Sequence, residues 1–515
     1  MTERRQRFRH GALASLASHV VAILGQLALV PLHLYAWGEQ LYGEWLILWA
    51  AVAYVGVADL GFSSYVANRL NAQRARGDDA GYLQTLHSAL GFSVRISAVA
   101  FALLAGAALV LPFDRWLAFE ETERQVAVIA CLLLALQLTA AIPRGLVVGL
   151  YRTIGEYPRG QLLAVVQRLG LTLLTAAGLL LGAGMVEIAA LQLVPLLATT
   201  VWAWSDLRRR HSWIEIGVQR RVRGLALTFL KPSLLFVAIQ VGMVIVLQGS
   251  TLVIGALFGA GSVAIFATTR TLANLVRQVT GSLSNALWPE VTALEARGEQ
   301  ATLRRVHRLS VKGLTAFALI AAGVLFLTGR DVFELWTRNE LAYSAEITQA
   351  LLLLLVLQTP WTTSSYVLIA TNRHADLARR MVASGLLGLA LGAWLASLLG
   401  PAGLVVGLIV ADLLLCAVAI PRAVVHQVGD RWGSFVMDIY GRGLAVSMLY
   451  VACLAAFQSP FDGDPFARTV VGASFAVAAG TMLCGTLWFT SDERAHILGL
   501  VGWSRGLARS AGGEA

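Results

Sequence analysis

Residues 125–142 read QVAVIACLLLALQLTAAI, 18 consecutive positions without a charged side chain. At 1.5 Å per residue, a helix of that length crosses most of the roughly 30 Å hydrocarbon core of a bilayer. Similar runs recur along the whole chain of 515 residues, which is 57% hydrophobic and only 14% charged. A soluble protein would be about 25% charged. The sequence therefore predicts an all-α, polytopic membrane protein and excludes a soluble globular one.

Fourteen such runs follow one another, and the charges between them alternate. Of the 40 Lys and Arg residues, 29 lie in the N-terminal segment or after even-numbered runs, and five lie after odd-numbered runs. Basic connectors stay in the cytoplasm, so we predict a multi-pass protein of the cytoplasmic (inner) membrane with both termini cytoplasmic. The spans number fourteen, or twelve if two weak ones are re-entrant. They cover residues 11–35, 43–66, 85–111, 125–150, 161–183, 186–205, 226–256, 262–290, 310–330, 346–370, 381–400, 401–420, 442–459 and 469–490.

A constant shift in residue number, 221, relates two parts of the chain. Gly38, after span 1, maps onto Gly259, after span 7, and residues 75–78 (ARGD) map onto residues 296–299 (ARGE). Matches at equivalent turns indicate parallel repeats related by an axis along the membrane normal. We predict an N-terminal six-helix bundle (1–205), a basic cytoplasmic connector (206–225), a C-terminal six-helix bundle (226–420), an additional helix pair (421–490) and a cytoplasmic tail (491–515).

The basic connector carries six arginines around Trp213 and Ile214. It is either an amphipathic segment that lies on anionic lipid or an ordinary positive-inside loop. The formal net charge of +10 follows from this topology, so we expect no nucleic-acid partner.

Sequence motifs for enzymatic chemistry are missing. Neither Lys231 nor Lys312, the two lysines, follows a glycine, which excludes a phosphate-binding loop, and no metal-ligand spacing of Cys or His occurs. An Asp-Gly-Asp sequence at 462–464 is either a glycosyltransferase-like metal motif or, as we favour, a polar turn between two prolines. All predicted outward loops are short. We therefore predict no enzyme, no cofactor and no metal.

Span 8 carries polar residues at helical spacing. Two of them, Arg270 and Arg277, lie about 10 Å apart along one helix face, and guanidinium groups bind phosphate bidentately. The alternatives are that both arginines snorkel to an interface or pair with Asp59 or Glu290. We interpret this face as a cavity lining that binds an anion. Its residues are spaced by four and three in turn: Arg270, Asn274, Arg277, Gly281 and Ser284.

Further polar residues lie within other spans. His19, Gln26 and His33 recur every seven residues in span 1, where they either pack against another helix or line a cavity. Asp59 in span 2 either neutralises an arginine or binds a coupling ion. We predict His19 and Asp59 as ion-coupling residues, since both titrate. The predicted substrate-binding residues outside span 8 are Gln26, Arg95, Arg144 and Arg168.

The charges within the first twelve spans do not balance. Six basic residues lie there, the five arginines named above and Lys231, against two acids, Asp59 and Asp412. A charge near the bilayer centre costs roughly 2.5–3.5 kcal/mol and normally faces a cavity or a partner. An anionic substrate headgroup would satisfy the excess.

Four segments carry a family resemblance: Gly25-Gln26 to Pro31, Trp37-Gly38 to Tyr42-Gly43, Ala58-Asp59-Leu60-Gly61 and Arg270 to Pro289-Glu290. They resemble the polysaccharide-biosynthesis flippases of the multidrug/oligosaccharidyl-lipid/polysaccharide exporter superfamily. The resemblance implies two six-helix bundles facing each other across a cavity that is often lined with basic residues. It also implies a polyprenyl-pyrophosphate-linked oligosaccharide, such as an O-antigen unit, as the cargo, commonly with H⁺ or Na⁺ coupling. The additional helix pair resembles that of some members, including lipid II flippases, where it forms a lipid-facing groove.

Three functions follow from these observations. The first is a flippase that moves a lipid-linked oligosaccharide by alternating access. Its expected partners are membrane lipids and other polysaccharide-assembly membrane proteins. The second is an ion-coupled multidrug exporter of the same superfamily, which the excess of intramembrane arginine disfavours because cationic drugs need an acidic or aromatic cavity. The third is a membrane glycosyltransferase or polymerase.

Overall fold

The computed structural model describes residues 2–495 except 60–61, 118, 223, 372, 374 and 458–463, and it leaves the side chains of 2–19, 57–59, 64, 230–237 and 289 undescribed. Within this part every regular element is helical. Its α-helices are α1 (Thr2–Ala53), α2 (Phe62–Ala75), α3 (Asp79–Val110), α4 (Phe113–Trp116), α5 (Arg124–Thr153), α6 (Tyr157–Leu180), α7 (Met185–Arg210), α8 (Leu230–Ala296), α9 (Gln300–Thr337), α10 (Ala345–Ala370), α11 (Ala375–Leu399), α12 (Pro401–Leu415), α13 (Ala419–Gln427), α14 (Trp432–Phe435), α15 (Arg442–Ala455) and α16 (Pro465–Leu483).

Twelve continuous helical stretches among the described residues are long and apolar enough to cross a membrane. Two of them, Val20–Gly56 and Ala238–Ala296, are interrupted by a non-helical glycine, at Gly38 and Gly259 respectively. Counting the two arms of each separately gives fourteen spans. The predicted all-α, polytopic fold class is confirmed.

The turns at Gly38 and Gly259 have the same backbone geometry. Their φ angles are +72° and +80°, a left-handed conformation that favours glycine because it has no Cβ. The two turns also touch, since the Gly261 N–H donates to Gln40 Oε1 at 3.1 Å. A methyl group on Gly43 would lie 1.9 Å from the carbonyl oxygen of Ala260. Glycine at position 43 therefore allows the two backbones to pack directly.

The loops at 75–78 and 296–299 also share one geometry. Gly77 and Gly298 have φ angles of +71° and +70°. Each glycine N–H donates to the carbonyl three residues back, at 3.1 and 3.0 Å, and the next N–H donates to the carbonyl five residues back, at 3.0 Å in both loops. The constant shift in numbering therefore relates equal local structures at both pairs of turns.

The chain divides into two compact units. Of the described residues, the first unit contains 2–268, 336–342 and 378–408, and the second contains 269–335, 343–377 and 409–495. In the first unit α1 packs along α6, where a methyl group on Gly25 would lie 2.6 Å from Thr172 Oγ1. The predicted bundle boundaries are a separate division of the chain and stay a prediction.

The basic connector packs on the start of α3. Both nitrogens of the buried His87 imidazole bond to the connector backbone: Nε2 donates to the carbonyl of Glu215 at 2.5 Å, and Nδ1 accepts from the Arg220 N–H at 2.9 Å. Ile214 is only 1% exposed and, together with Trp213, joins the core of the first unit. Trp213 and Ile214 thus pack against protein, so the amphipathic lipid-surface interpretation does not hold for these two residues.

Candidate functional site

The polar residues of span 8 lie on one continuous helix, the arm of α8 that follows Gly259. Arg270 and Asn274 are half-buried, and Arg277 is exposed in the middle of the span. Further along the same face, Gly281 lies next to α10: a methyl group added at Gly281 would be 3.6 Å from the Tyr366 hydroxyl, an ordinary contact distance. Arg270 and Arg277 are close enough to repel each other electrostatically.

Asp412 of α12 supplies the negative charge that acts on Arg277. The Gln358 side chain of α10 donates a hydrogen bond from Nε2 to Asp412 Oδ2. The two arginines and this carboxylate all lie within the second unit. Sequence reasoning identified Asp412 as a deep acid but missed Gln358, whose signal is an amide directly after the apolar run 350–357.

Arg144 lies within the first unit, directly after Pro143 in α5. Its Nη2 makes one long hydrogen bond of 3.4 Å to Thr199 Oγ1 of α7. Its Nε is buried and has no hydrogen-bond partner among the described residues. A guanidinium group has five N–H donors. Arg144 therefore keeps unused donor capacity that an anion could take up.

The other predicted substrate residues differ in how the chain holds them. Arg95 bends back along α3 and donates from Nε to the carbonyl of Gly91 at 2.8 Å. Arg168 on α6 and Gln26 on α1 are both exposed. All three side chains are therefore accessible, and Arg95 in addition bonds to its own helix.

The predicted ion-coupling side chains, His19 and Asp59, lie outside the described residues, although the backbone of Asp59 ends a 3₁₀ turn, Tyr54–Asp59. His33, in the same span 1 pattern as His19, is buried and donates from Nδ1 to the Leu29 carbonyl at 2.7 Å. Its ring contacts Trp37 edge-on at 5.0 Å and stacks on Tyr42 at 5.1 Å. For His33 the structure supports the packing interpretation.

A buried ion network, which sequence reasoning missed, joins α9 to the segments at both ends of the additional helix pair. Lys312 has no exposed surface, and its Nζ donates to Asp438 Oδ1 at 2.9 Å and to the two Glu493 oxygens at 3.1 and 2.9 Å. One helical turn earlier, Arg308 binds both oxygens of Asp430 at 2.6 and 2.9 Å. From the sequence, Lys312 belongs to the edge of a span, where a lysine is normally solvated.

The network sets the charge state of its two outlying acids. Burial alone would raise the pKa of Asp430, but the hydrogen bonds and charge of Arg308 outweigh it and hold the pKa below its ordinary value. Burial acts in the same way on Glu493, and bonds from the Thr490 backbone and Lys312 bring its pKa below the ordinary value. Both acids are therefore ionised near neutral pH.

The remaining acidic motif has a local explanation. Asp464 Oδ1 accepts hydrogen bonds from the N–H groups of Phe466 and Ala467, at 2.9 and 3.3 Å, and so caps the first turn of α16. Asp462 and Gly463 lie outside the described residues. A capping role agrees with the polar-turn interpretation of 462–464. No cluster of three or more potential metal ligands occurs among the residues that the structure describes.

The fold is shared with solved transporters. An inward-facing multidrug resistance transporter of the MATE family, in the MOP superfamily, matches with a TM-score of 0.68 and 14% identity over 79% of this chain and 94% of that chain. The lipid II flippase MurJ, in an inward closed conformation, matches with a TM-score of 0.67 and 13% identity over 92% of this chain and 98% of that chain. A MOP superfamily transporter from Pyrococcus furiosus, described as having a binding pocket of reverse polarity, matches with a TM-score of 0.54 and 16% identity over 82% of this chain and 94% of that chain.

No family model and no curated protein sequence matches the chain. At these identities the likeness concerns the fold alone. The chain therefore shares its fold with these solved transporters.

Proposed function

We propose that the protein is a flippase that moves a polyprenyl-pyrophosphate-linked oligosaccharide across the cytoplasmic membrane by alternating access. The observation that carries this proposal is the exposed, mid-span Arg277 beside the half-buried Arg270. Placing such charges within a bilayer is costly unless a counter-charge or a wet cavity receives them. A pyrophosphate group supplies both negative charge and the oxygen geometry that guanidinium binds in two-pronged fashion.

The local charge balance supports an anionic cargo. Asp412 acts electrostatically on Arg277 and accepts a hydrogen bond from Gln358, while Arg270 and Arg277 repel each other. An anion bound beside the two guanidinium groups would relieve this repulsion. We assign Arg270, Asn274 and Arg277 to the pyrophosphate, and Gln26, Arg95, Arg144 and Arg168 to further contacts with the cargo. His19 and Asp59 remain our proposed ion-coupling residues.

The extent of the structural matches also favours a lipid-linked cargo. The match to the MATE transporter covers 94% of that protein but only 79% of this chain. The match to the lipid II flippase covers 92% of this chain. The added share of the chain is close to the length of the predicted additional pair, 421–490. A chain that shares this extra length with a lipid flippase is better suited to a cargo with a long lipid tail.

A multidrug exporter of the same superfamily is the second candidate. The similarity to MATE transporters favours it, as does Asp412, a carboxylate that could bind a cationic drug. The two candidates differ in the charge of the ligand. A binding measurement with one anionic and one cationic probe therefore separates them.

The test uses the purified full-length protein with two probes, farnesyl pyrophosphate and the cationic dye ethidium. We expect farnesyl pyrophosphate to bind and Arg277→Ala to weaken that binding about 10- to 100-fold, since a hydrogen bond to a charged group contributes roughly 1.5–3 kcal/mol. Arg277→Lys should recover only part of the affinity. Arg330→Ala is the matched control, because Arg330 is exposed and paired with Glu334 at 2.8 Å.

Transport is tested in proteoliposomes that contain an NBD-labelled polyprenyl-pyrophosphate disaccharide. Dithionite bleaches only the label in the outer leaflet, so flipping appears as a larger bleached fraction. We expect flipping by the wild type and the Arg330→Ala variant and none by Arg277→Ala. Ethidium binding without farnesyl pyrophosphate binding would instead favour the drug exporter. Normal flipping by well-folded Arg277→Ala protein would remove the assigned role of this residue.

A further inference from the structure

His307, on α9, is a buried imidazole whose hydrogen bonds define its protonation state. Its side chain is 2% exposed, and Nε2 lies 3.0 Å from Ser364 Oγ. The Ser364 hydroxyl donates its own proton to the carbonyl of Pro360 at 2.8 Å. Nε2 must therefore carry the hydrogen and donate to Ser364. Nδ1 is then a bare lone pair, and it has no hydrogen-bond partner among the described residues.

His307 also lines a small pocket between α8, α9 and α10. The pocket has room for about one water molecule. Its wall includes hydroxyl-bearing side chains from all three helices, Ser284, Ser310, Thr363 and Tyr366. On another side, the ring of Phe435 lies parallel to the imidazole, with the ring centroids 5.5 Å apart. His307 is thus buried at the edge of a small pocket whose accessible surface is mainly apolar.

Two other buried histidines, His87 and His33, do not combine an unbonded ring nitrogen with a neighbouring pocket. His87 has both nitrogens bonded to the connector backbone. His33, like His307, has one bare nitrogen, but aromatic rings enclose it. Of these three, His307 is the one that combines a bare nitrogen with a pocket.

The charged groups around His307 couple it to the ion network. Arg308, the next residue on α9, holds Asp430 through two hydrogen bonds, and both charges act electrostatically on His307. Tyr366 is the titratable group that α10 contributes to the pocket, and the α8 side of the pocket contributes none. A proton on Nδ1 would place a third charge beside Arg308 and Asp430. It would repel Arg308 and compete with it for the carboxylate.

We propose that His307 is a proton-binding site that controls the Arg308–Asp430 contact between α9 and the connector before the additional helix pair. In the conformation described here the imidazole is neutral. In a second conformation water reaches the ring, the Nδ1 lone pair takes a proton from a hydronium ion to form an N–H bond, and the contact with Asp430 loosens. The inference holds for any cargo and so goes beyond the proposed function.

The direction of the pH effect follows from linkage. The open conformation binds a proton and the closed one does not, so acidification favours opening. The ratio of open to closed molecules should rise by up to about tenfold for each pH unit below the pKa of the exposed imidazole, ordinarily about 6.5. Asp430 is already held ionised in this range, because its pKa lies below the ordinary value.

The first measurement is histidine C2–H deuterium exchange by mass spectrometry, applied to the wild-type protein. Each imidazole then reports its own titration. We expect His307 to titrate with a midpoint below about 6.5, the ordinary imidazole pKa, because the closed conformation binds no proton. A flat profile for His307 overturns the proposal, and no variant is needed for this result.

The second measurement is backbone amide exchange in residues 428–435, corrected for the intrinsic pH dependence of exchange. Exchange should increase on acidification in the wild type and stay constant in His307→Gln, since glutamine can donate to Ser364 but does not titrate. His33→Gln is the matched control and should behave as the wild type. An unchanged acid response in His307→Gln would show that another group controls this segment. Neither measurement involves the cargo, so failure here is distinct from failure of the proposed function.

Discussion

Replacing Lys312 with methionine should strongly destabilise the second unit. Methionine keeps the length and apolar stem of lysine but removes an ammonium group that has no exposed surface and donates three hydrogen bonds of 2.9 to 3.1 Å. Removing one partner of a buried ion pair costs about 3–5 kcal/mol, because the other charge is left buried. Asp438 and Glu493 are 15% and 20% exposed. They therefore recover some hydration, and we expect a loss near the lower limit, about 3 kcal/mol.

The loss is measured as the change in free energy of reversible unfolding in lipid bicelles. Lys312→Met/Glu493→Gln should be less destabilised than Lys312→Met alone, because one unpaired carboxylate is removed. Arg330→Met is the control, since the exposed Arg330–Glu334 pair should add little stability. A loss below about 1 kcal/mol in Lys312→Met, typical of a surface pair, would refute the view that this network holds α9 to the helix pair.

Two further predictions concern other contacts. Gly43→Ala should destabilise the protein by about 1–3 kcal/mol in the same unfolding assay, because its methyl group would overlap the Ala260 carbonyl oxygen. Gly149→Ala, where a methyl group meets open space, should cause no loss. Asp430 has a pKa below its ordinary value of about 3.8, so its stabilisation is present above that pH and lost as the pH falls through the folded-state pKa. Asp430→Asn should therefore remove part of the acid destabilisation between about pH 4 and 2, and an unchanged acid profile would contradict the assignment.

The fold follows from the sequence because membrane spans depend on local properties. Run length and hydropathy determine where a helix can cross a bilayer, and no distant partner is required. The turns at Gly38 and Gly259 can also be predicted from the sequence. Each glycine lies between two apolar runs, and the constant shift of 221 residues between them indicates a repeated turn. The structure gives these two glycines φ angles of +72° and +80°.

The ion network and His307 could not be found in this way, because their partners are remote in the sequence. Lys312 and Glu493 are 181 residues apart, and Lys312 and Asp438 are 126 apart. Charge counting places Lys312 among solvated connector residues, since a single lysine at a span edge carries no information about a carboxylate that folds over it. The bare Nδ1 of His307 depends on the proton of Ser364, which no sequence pattern specifies.

The span 8 face physically connects the proposed cargo site with the proposed proton site. Its last residue, Ser284, lines the His307 pocket and lies about 10 Å along α8 from Arg277. A positive charge in that pocket would favour an anion at Arg277 by on the order of 1–2 kcal/mol at an effective dielectric constant of 20. Proton and pyrophosphate binding then reinforce each other, and this reciprocity rules out simple exchange of one for the other at His307. Energy for outward transport must come from elsewhere. For an anionic cargo the membrane potential, negative inside, supplies about 2.3 kcal/mol per net negative charge per 100 mV. The membrane potential therefore drives outward a pyrophosphate-linked cargo that keeps a net negative charge after one proton is bound, in addition to any ion gradient coupled through His19 and Asp59. His307 regulates this step rather than powering it.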